Sequence, residues 1–260
     1  MQRANAKLLI IAYFDARGVL SDDFRTFLKL SSSSFDVHVF HIDEIVVLKA
    51  DFPNVKFTLC AVAGYDLNAY LFGAVHYMYS KDVEQYIFMN NSIEIVNPGL
   101  FMRTLELMFD RLTLVDFIAM TKSFEETEHY QSYLFGLNKR ILSSHLFRNL
   151  IEDGSFLRPF SRFEVIQYFE LNTLNSLKND GFSHDNFYKP NRSSILIAYF
   201  RYLVCLGFVD NSQGLFYPKR INMSTYSKSE MAALYGFRKI KNSSILNKVK
   251  KVYERFTKRI

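Results

Sequence analysis

Three adjacent polar side chains follow an apolar run in this chain, and their types suit the binding of a metal, a diphosphate or a sugar. The apolar run covers residues 86–89 and is followed by Asn90, Asn91 and Ser92. A buried parallel strand has this short apolar pattern, and ligands of open α/β sheets bind just beyond the carboxyl ends of such strands. The three side chains therefore predict a ligand-binding strand end. An ordinary exit from strand to loop is the alternative, because Asn and Ser are common turn residues.

A second candidate is the sequence Gly-Tyr-Asp at residues 64–66, directly before a helix-like run. Gly64 permits a close backbone approach or a positive φ, and Tyr65 offers an aromatic face to a ring. Asp66 can cap the helix or bind a ribose hydroxyl, and both interpretations stay open.

A third polar block covers residues 121–133, between two apolar strands. Lys122 is suited to a phosphate, while His129 and Gln131 are suited to hydrogen bonds with sugar hydroxyls. A lone histidine is more often structural, so a packing role for His129 is the alternative. The glutamates of this block are expected to form an exposed acidic loop without a role in the site: Glu125, Glu126 and Glu128.

Alternating apolar and amphipathic runs indicate which elements position these candidates. Strands are predicted at residues 7–14, 35–40, 55–62, 86–89, 116–120 and 131–137, and helices at residues 22–30, 67–78, 100–109, 139–150, 163–178 and 194–206. Strands that alternate with helices indicate an α/β domain with a mostly parallel sheet. After residue 154 the pattern becomes mainly helical.

Composition and charge limit the function classes. Net charge is +6, but residues 238–260 carry nine Lys or Arg and one Glu, which leaves the first 237 residues slightly acidic at −2. This distribution argues against nucleic acid as a partner, because a nucleic-acid-binding domain carries its basic residues over a folded face. Cys60 and Cys205 lie in apolar strings, which predicts buried thiols in a reducing compartment. We see no secretory signal or membrane-spanning run and expect a cytoplasmic protein.

The basic tail has a helical pattern of its own. Apolar residues recur at spacings of three and four between residues 245 and 260, with lysines and arginines opposite. We therefore divide the chain into a domain at residues 1–237 and a basic amphipathic helix at residues 238–260. Such a helix fits a membrane surface or a partner protein. Packing on its own domain, with the basic face in solvent, is the alternative.

Four segments together resemble one known family. They are Ala12-Tyr13-Phe14-Asp15-Ala16-Arg17-Gly18 with Asp22-Asp23; Ala63-Gly64-Tyr65-Asp66 with Tyr70 and Gly73; Met89-Asn90-Asn91-Ser92; and Thr121-Lys122-Ser123 with His129-Tyr130-Gln131-Ser132-Tyr133. In this order and spacing they are similar to the rhamnan-synthesis protein F glycosyltransferases of bacterial cell-wall polysaccharide and O-antigen assembly. The resemblance covers about residues 8–225.

The resemblance implies a GT-A-like fold, with a mostly parallel sheet flanked by helices and a helical C-terminal part. It implies that a sugar moves from a nucleotide donor, rhamnose from dTDP or another sugar from UDP, to a growing glycan on a lipid carrier. Because such carriers lie in the membrane, it also implies a peripheral location on the inner face of the cytoplasmic membrane, through residues 243–260.

Roles for individual residues follow from the same resemblance. Donor binding is implied for Tyr13, Asp15, Gly64, Tyr65, Asp66, Asn90, Asn91, Ser92 and Lys122, and acceptor or sugar binding for His129 and Gln131. Residues 168–174 resemble a Tyr-Glu-x-x-Leu-Ser element of the family. This implies that Glu170 is the catalytic base that takes the acceptor proton in an inverting transfer. A position on the polar side of a helix is the alternative for Glu170.

One position departs from the family pattern. The family has Met-Asn-Asp-Ser, whose carboxylate would bind Mg²⁺ or Mn²⁺ as in GT-A enzymes, whereas this chain has Asn91. An amide oxygen is a weaker ligand for a hard divalent cation than a carboxylate. Two further expectations therefore stay open. The strand end hydrogen-bonds the donor without a metal, or the chain is a catalytically inactive glycan-binding or scaffold subunit of a polysaccharide-synthesis complex.

Overall fold

The structure is a computed structural model, and it describes residues 6–15, 18–41, 51–60, 65–80, 82–91, 93–95, 98–123, 128–152, 157–187 and 216–218. Within these ranges, no helix combines the length and the apolar character needed to cross a membrane. The helices predicted at residues 194–206 and 238–260 lie outside the described residues, and so does the predicted boundary after residue 237.

The strands form one large sheet and two small ones. In chain order they are β1 (Ala6–Tyr13), β2 (Asp36–His41), β3 (Val55–Leu59), β4 (Val83–Asn90), β5 (Ile93–Ile95), β6 (Phe117–Ala119), β7 (Lys122–Ser123), β8 (His129–Tyr130), β9 (Leu134–Asn138), β10 (His184–Asn186) and β11 (Phe216–Pro218). Among the described residues, seven strands form the large sheet in the order β10-β6-β9-β4-β1-β2-β3. Neighbouring strands are parallel except that β9 is antiparallel to β4 and β6. The prediction of a mostly parallel sheet is confirmed.

Helices flank this sheet on both faces. They are α1 (Asp22–Ser34), α2 (Asp66–Tyr77), α3 (Pro98–Arg111), α4 (Lys139–Leu142), α5 (His145–Glu152), α6 (Arg162–Glu164) and α7 (Leu171–Asn179), with a π-helical turn (Val165–Glu170) between α6 and α7. Alternate residues of β1 face opposite cores, because side chains of a strand point to opposite faces of the sheet. Leu9 packs in the core with α1 and α3, while Leu8 packs in the core with α2, α5 and α7. The predicted α/β fold class, with helices on a mostly parallel sheet, is therefore confirmed.

Three of the predicted elements differ from the prediction in division, direction or internal geometry. The helix expected at residues 139–150 is divided into α4 and α5 around Ser143, because the Ser144 carbonyl accepts the Arg148 N–H at 2.9 Å and starts a new helix. The strand expected at residues 131–137 begins at Leu134 and runs antiparallel to β4. The helix expected at residues 163–178 contains the π-helical turn, which places one extra residue in the turn before Glu170.

Candidate active site

The carboxyl end of β4 is tied to helix α2 through its last residue. Asn90 is buried, and its amide nitrogen donates to Asp66 Oδ2. Asp66 begins α2, and its Oδ1 accepts the N–H of Leu67 at 3.1 Å. Both oxygens of this partly buried carboxyl group are therefore held at the sheet edge where ligands of α/β proteins bind.

The next residue joins the same strand end to the loop that follows β1. The Asn91 Oδ1 accepts the Phe14 N–H at 3.1 Å, and the Asn91 Nδ2 donates to the Phe14 carbonyl at 2.6 Å. The Asn91 backbone N–H also donates to the Ala12 carbonyl at 3.2 Å. Because one partner is a donor and the other an acceptor, the orientation of the amide is unambiguous.

Glu170 reaches this region from the end of the π-helical turn. Its Oε1 accepts two hydrogen bonds from Ser132, one from the backbone N–H at 3.1 Å and one from the hydroxyl at 2.6 Å. The Ser132 carbonyl in turn accepts the Tyr70 hydroxyl at 3.1 Å. The Asn90 N–H donates to the carbonyl of Tyr133, the residue after Ser132, which puts Ser132 beside the end of β4.

Asp66 and Glu170 lie within electrostatic reach of each other. Burial raises the pKa of Asp66 from 3.8 to about 6; the hydrogen bond from Asn90 opposes this shift and the charge of Glu170 adds to it. Burial also raises the pKa of the Tyr70 hydroxyl well above its ordinary value, and the charges of Asp66 and Glu170 add to that effect. The site therefore contains two carboxyl groups, from α2 and from the π-helical turn, with a neutral phenol beside them.

Several described side chains of the polar block at residues 121–133 also bond to one another. The Thr121 hydroxyl lies 2.7 Å from Gln131 Oε1 and 2.8 Å from the Tyr133 hydroxyl. Lys122 Nζ is 3.1 Å from Glu128 Oε1 and 5.2 Å from the centre of the Tyr130 ring. Glu128, which is predicted to lie in an exposed acidic loop, therefore neutralises part of the positive charge of Lys122. Lys122 is the residue that the sequence predicts to bind a phosphate. His129, on β8, is buried.

The remaining candidates that the structure describes are Tyr13, Asp15 and Tyr65. Tyr13 is buried, packs on Phe24 with ring centres 4.8 Å apart, and donates its hydroxyl to the Val19 carbonyl at 3.1 Å. Asp15 is partly buried, and its carbonyl accepts the Gly18 N–H at 2.8 Å. Tyr65 is 46% exposed and directly precedes Asp66. Gly64 and Ser92 lie outside the described residues. The assignment of these residues to donor binding stays a prediction.

Two residues of the site are not among the functional residues that the sequence predicts. Ser132 and Tyr70 both stand inside the segments that resemble the known family, so their position in those segments was the available signal. A serine and a tyrosine at these positions give no functional signal by residue type alone. Their role in the site comes from hydrogen bonds between residues distant in the sequence, Ser132 with Glu170 and Tyr70 with Ser132.

The residues at the end of β4 do not fit the divalent cation that the family resemblance implies. The position of the family carboxylate is Asn91, and both halves of its amide are bonded to the Phe14 backbone. Asn90 uses its amide nitrogen on Asp66. In the described part of the chain, no three or more His, Cys, Asp or Glu side chains are grouped so that they could hold a metal ion.

Comparisons with known proteins give weak structural likenesses and no sequence relative. No protein-family model matches the chain. No curated protein matches it either. The rhamnan-synthesis resemblance therefore has no support from sequence comparison.

The similar solved structures include transferases. The glycosyltransferase GlyE of Streptococcus pneumoniae is 10% identical with a TM-score of 0.46, over 98% of this chain and 64% of that one. Mannose-1-phosphate geranyltransferase of Thermus thermophilus is 8% identical with a TM-score of 0.38, over 57% and 65%. Mouse xyloside xylosyltransferase 1 is 13% identical with a TM-score of 0.41, over 84% and 98%. This chain thus spans about two-thirds of the length of the first two, and at these TM-scores the likenesses assign it no activity.

Proposed function

We propose that this protein is a glycosyltransferase that moves a sugar from a nucleotide-sugar donor to an acceptor hydroxyl. One observation carries the proposal: the carboxyl groups of Asp66 and Glu170, from separate elements, lie within electrostatic range of each other, the first bonded to Asn90 and the second to Ser132. They do so at the carboxyl edge of a mostly parallel sheet, where α/β proteins bind their ligands. A glycosyl transfer that inverts the anomeric centre needs such a carboxylate as its base, and the motif resemblance supports the same reaction class.

In the proposed reaction, Glu170 is the base. Its Oε1 is fixed by Ser132, while its Oε2 accepts no hydrogen bond from the described part of the chain and is available to an acceptor hydroxyl. The carboxylate takes the hydroxyl proton as the acceptor oxygen forms its bond to the anomeric carbon. The bond from that carbon to the donor phosphate breaks, and its electron pair leaves with the nucleotide diphosphate.

The identity of donor and acceptor rests on the sequence resemblance. It favours a dTDP- or UDP-linked sugar, with rhamnose from dTDP as the first choice. The acceptor would be a lipid-linked glycan of a bacterial surface polysaccharide, reached from the inner face of the cytoplasmic membrane. Asp15, Tyr65, Asn90 and Asn91 lie around the end of β1, the start of α2 and the end of β4, where the donor is proposed to bind.

The experiment begins with a panel of nucleotide sugars, each tested for hydrolysis and for thermal stabilisation of the protein, with EDTA and with Mg²⁺ or Mn²⁺. With the donor that responds, Glu170→Gln should lower turnover by about a hundredfold or more, because it keeps the shape but removes the basic group. Donor affinity should stay the same. Glu106→Gln, at an exposed position on α3, is the matched control and should have full activity. Full activity in Glu170→Gln would move the base to another residue.

A second candidate function is supported by Asn91, which stands where the resembling family has a carboxylate. A catalytically inactive glycan-binding or scaffold subunit would bind an oligosaccharide but release no nucleotide diphosphate from any donor. Absence of turnover across the panel, together with glycan binding by calorimetry, would select this function over the transferase.

A further inference from the structure

The two amides at the end of β4 have different partners, and the difference explains why Asn stands at position 91. Asn90 bonds to the side chain of Asp66, on the helix. Within the described residues, the Asn91 side chain bonds only to backbone. Its oxygen accepts the Phe14 N–H, and its nitrogen donates to the Phe14 carbonyl. This paired bond joins the loop after β1 to the end of β4.

An aspartate at position 91 would not form this pair. A carboxylate has acceptors only, so one oxygen could still take the Phe14 N–H, but the other would face the Phe14 carbonyl, which now lies 2.6 Å from Nδ2. Two partly negative oxygens at that distance repel each other. The Phe14 N–H and carbonyl therefore require an amide at position 91. The carboxylate that a divalent cation would need at this position cannot bond to both groups.

We propose that Asn91 is a positioning residue that clamps the β1 loop to β4, and that this edge binds a nucleotide diphosphate without a divalent cation at Asn91. The second part, which we call the cation half, is the binding of a nucleotide diphosphate without a divalent cation at Asn91. It rests on the proposed function, whereas the clamp does not. The Asn91 amide is already committed to both partners, and an amide oxygen is in any case a poor ligand for a hard cation. The donor is then held by hydrogen bonds from protein groups.

The clamp is tested on the full-length protein by thermal unfolding of Asn91→Ala, Asn91→Asp and Asn149→Asp. Asn91→Ala should lower Tm by about 5 °C, because it removes two hydrogen bonds in a partly buried place. Asn91→Asp should lower Tm at least as much, because it adds repulsion from Phe14. Asn149, exposed on α5, is the matched control for the change from amide to carboxylate and should leave Tm unchanged. Equal Tm values for all four proteins would overturn the clamp. An Asn91→Asp protein that fails to fold, beside a destabilised Asn91→Ala, supports it.

The cation half is tested on the wild-type protein by titrating UDP and dTDP in EDTA and in Mn²⁺. The affinities in the two buffers should agree within about threefold. Affinity that is tenfold tighter in Mn²⁺, and that loses this gain in Asn91→Ala, would overturn it. If neither nucleotide binds in either buffer, the dTDP- or UDP-linked donor of the proposed function is ruled out and the cation half is overturned with it, while the unfolding temperatures still decide the clamp.

Discussion

At the scale of single residues, the ionisation of Asp66 links stability to the proposed activity. Its pKa is about 6 in the folded protein and 3.8 in an ordinary setting. Between these values the folded state binds a proton that the unfolded state has lost, so the free energy of unfolding falls as pH rises from about 4 to about 6. Above pH 6 both states are ionised, and the folded protein bears the full cost of a buried charge near Glu170. A group that costs stability at neutral pH is typical of a functional site.

The raised pKa of Asp66 predicts how the stability of Asp66→Asn depends on pH. The substituted side chain stays neutral, so its free energy of unfolding relative to wild type should rise by about 2 kcal/mol between pH 4 and pH 8. Any loss of a hydrogen bond to Asn90 or Leu67 lowers the free energy of unfolding of Asp66→Asn by the same amount at both pH values. It therefore does not change the difference between them. Urea unfolding at the two pH values measures it.

Asn149→Ala is the control, because Asn149 is exposed on α5 and has no ionisable group. Its stability relative to wild type should be the same at both pH values. A pH-independent difference for Asp66→Asn as well would mean that Asp66 ionises normally in the folded protein.

At the scale of elements, helix α2 controls where Asp66 lies. Asn68 is fully buried, and its amide donates to the Arg158 carbonyl at 2.7 Å and accepts the Phe160 N–H at 3.1 Å. One turn later Gly73 brings the helix close to β1. A Cβ at Gly73 would lie 2.8 Å from Ile10 Cγ2 and 3.2 Å from the Phe40 ring. The helix therefore has little freedom to move away from the sheet.

Gly73→Ala should consequently destabilise the protein, although alanine is the better helix former by about 1 kcal/mol. Overpacking against β1 costs about 1–3 kcal/mol, so it should outweigh that gain and lower the free energy of unfolding by a net of up to about 2 kcal/mol. Urea unfolding gives the value.

A double-mutant cycle with Ile10→Ala provides the control. The smaller side chain makes room for the new methyl, so Gly73→Ala should cost less in that background. An equal cost in both backgrounds would show that the Ile10 contact is not the cause.

Local patterns predicted most elements, and long-range contacts account for the rest. The strand over residues 86–89 and the helix over residues 67–78 follow from apolar runs and periodicity, and they lie within β4 and α2 with small differences at the ends. The antiparallel direction of β9 depends on its pairing with β4, which no local pattern encodes. The hydrogen bond between Ser132 and Glu170 joins residues that are 38 positions apart in the sequence. The sequence contains both residue types, but no local pattern predicts that their side chains are in contact. The sequence does not predict the Asn91 clamp for the same reason, because the backbone groups that bond to Asn91 belong to Phe14, which is 77 positions away.

At the scale of the whole molecule, the charge distribution is the basis for the predicted division into a domain and a basic tail. Residues 1–237 carry −2 and residues 238–260 carry +8. The tail lies outside the described residues, so its helix and its membrane association remain predictions from spacing. An anionic membrane would attract the basic residues, each contributing about 1 kcal/mol near the surface, while the apolar face inserts.

Deletion of residues 242–260 should therefore abolish binding to anionic vesicles and leave activity on a short soluble acceptor intact. Binding by the full chain should weaken as salt rises, because screening reduces the attraction. The double variant Val252→Ser with Phe256→Ser keeps every positive charge, so it shows how much of the binding comes from insertion. Vesicle sedimentation gives the bound fraction, and circular dichroism shows whether the shortened protein is folded. Unfolding on deletion would mean that the tail packs against the domain, since a helix lying on a membrane contributes nothing to folding in solution.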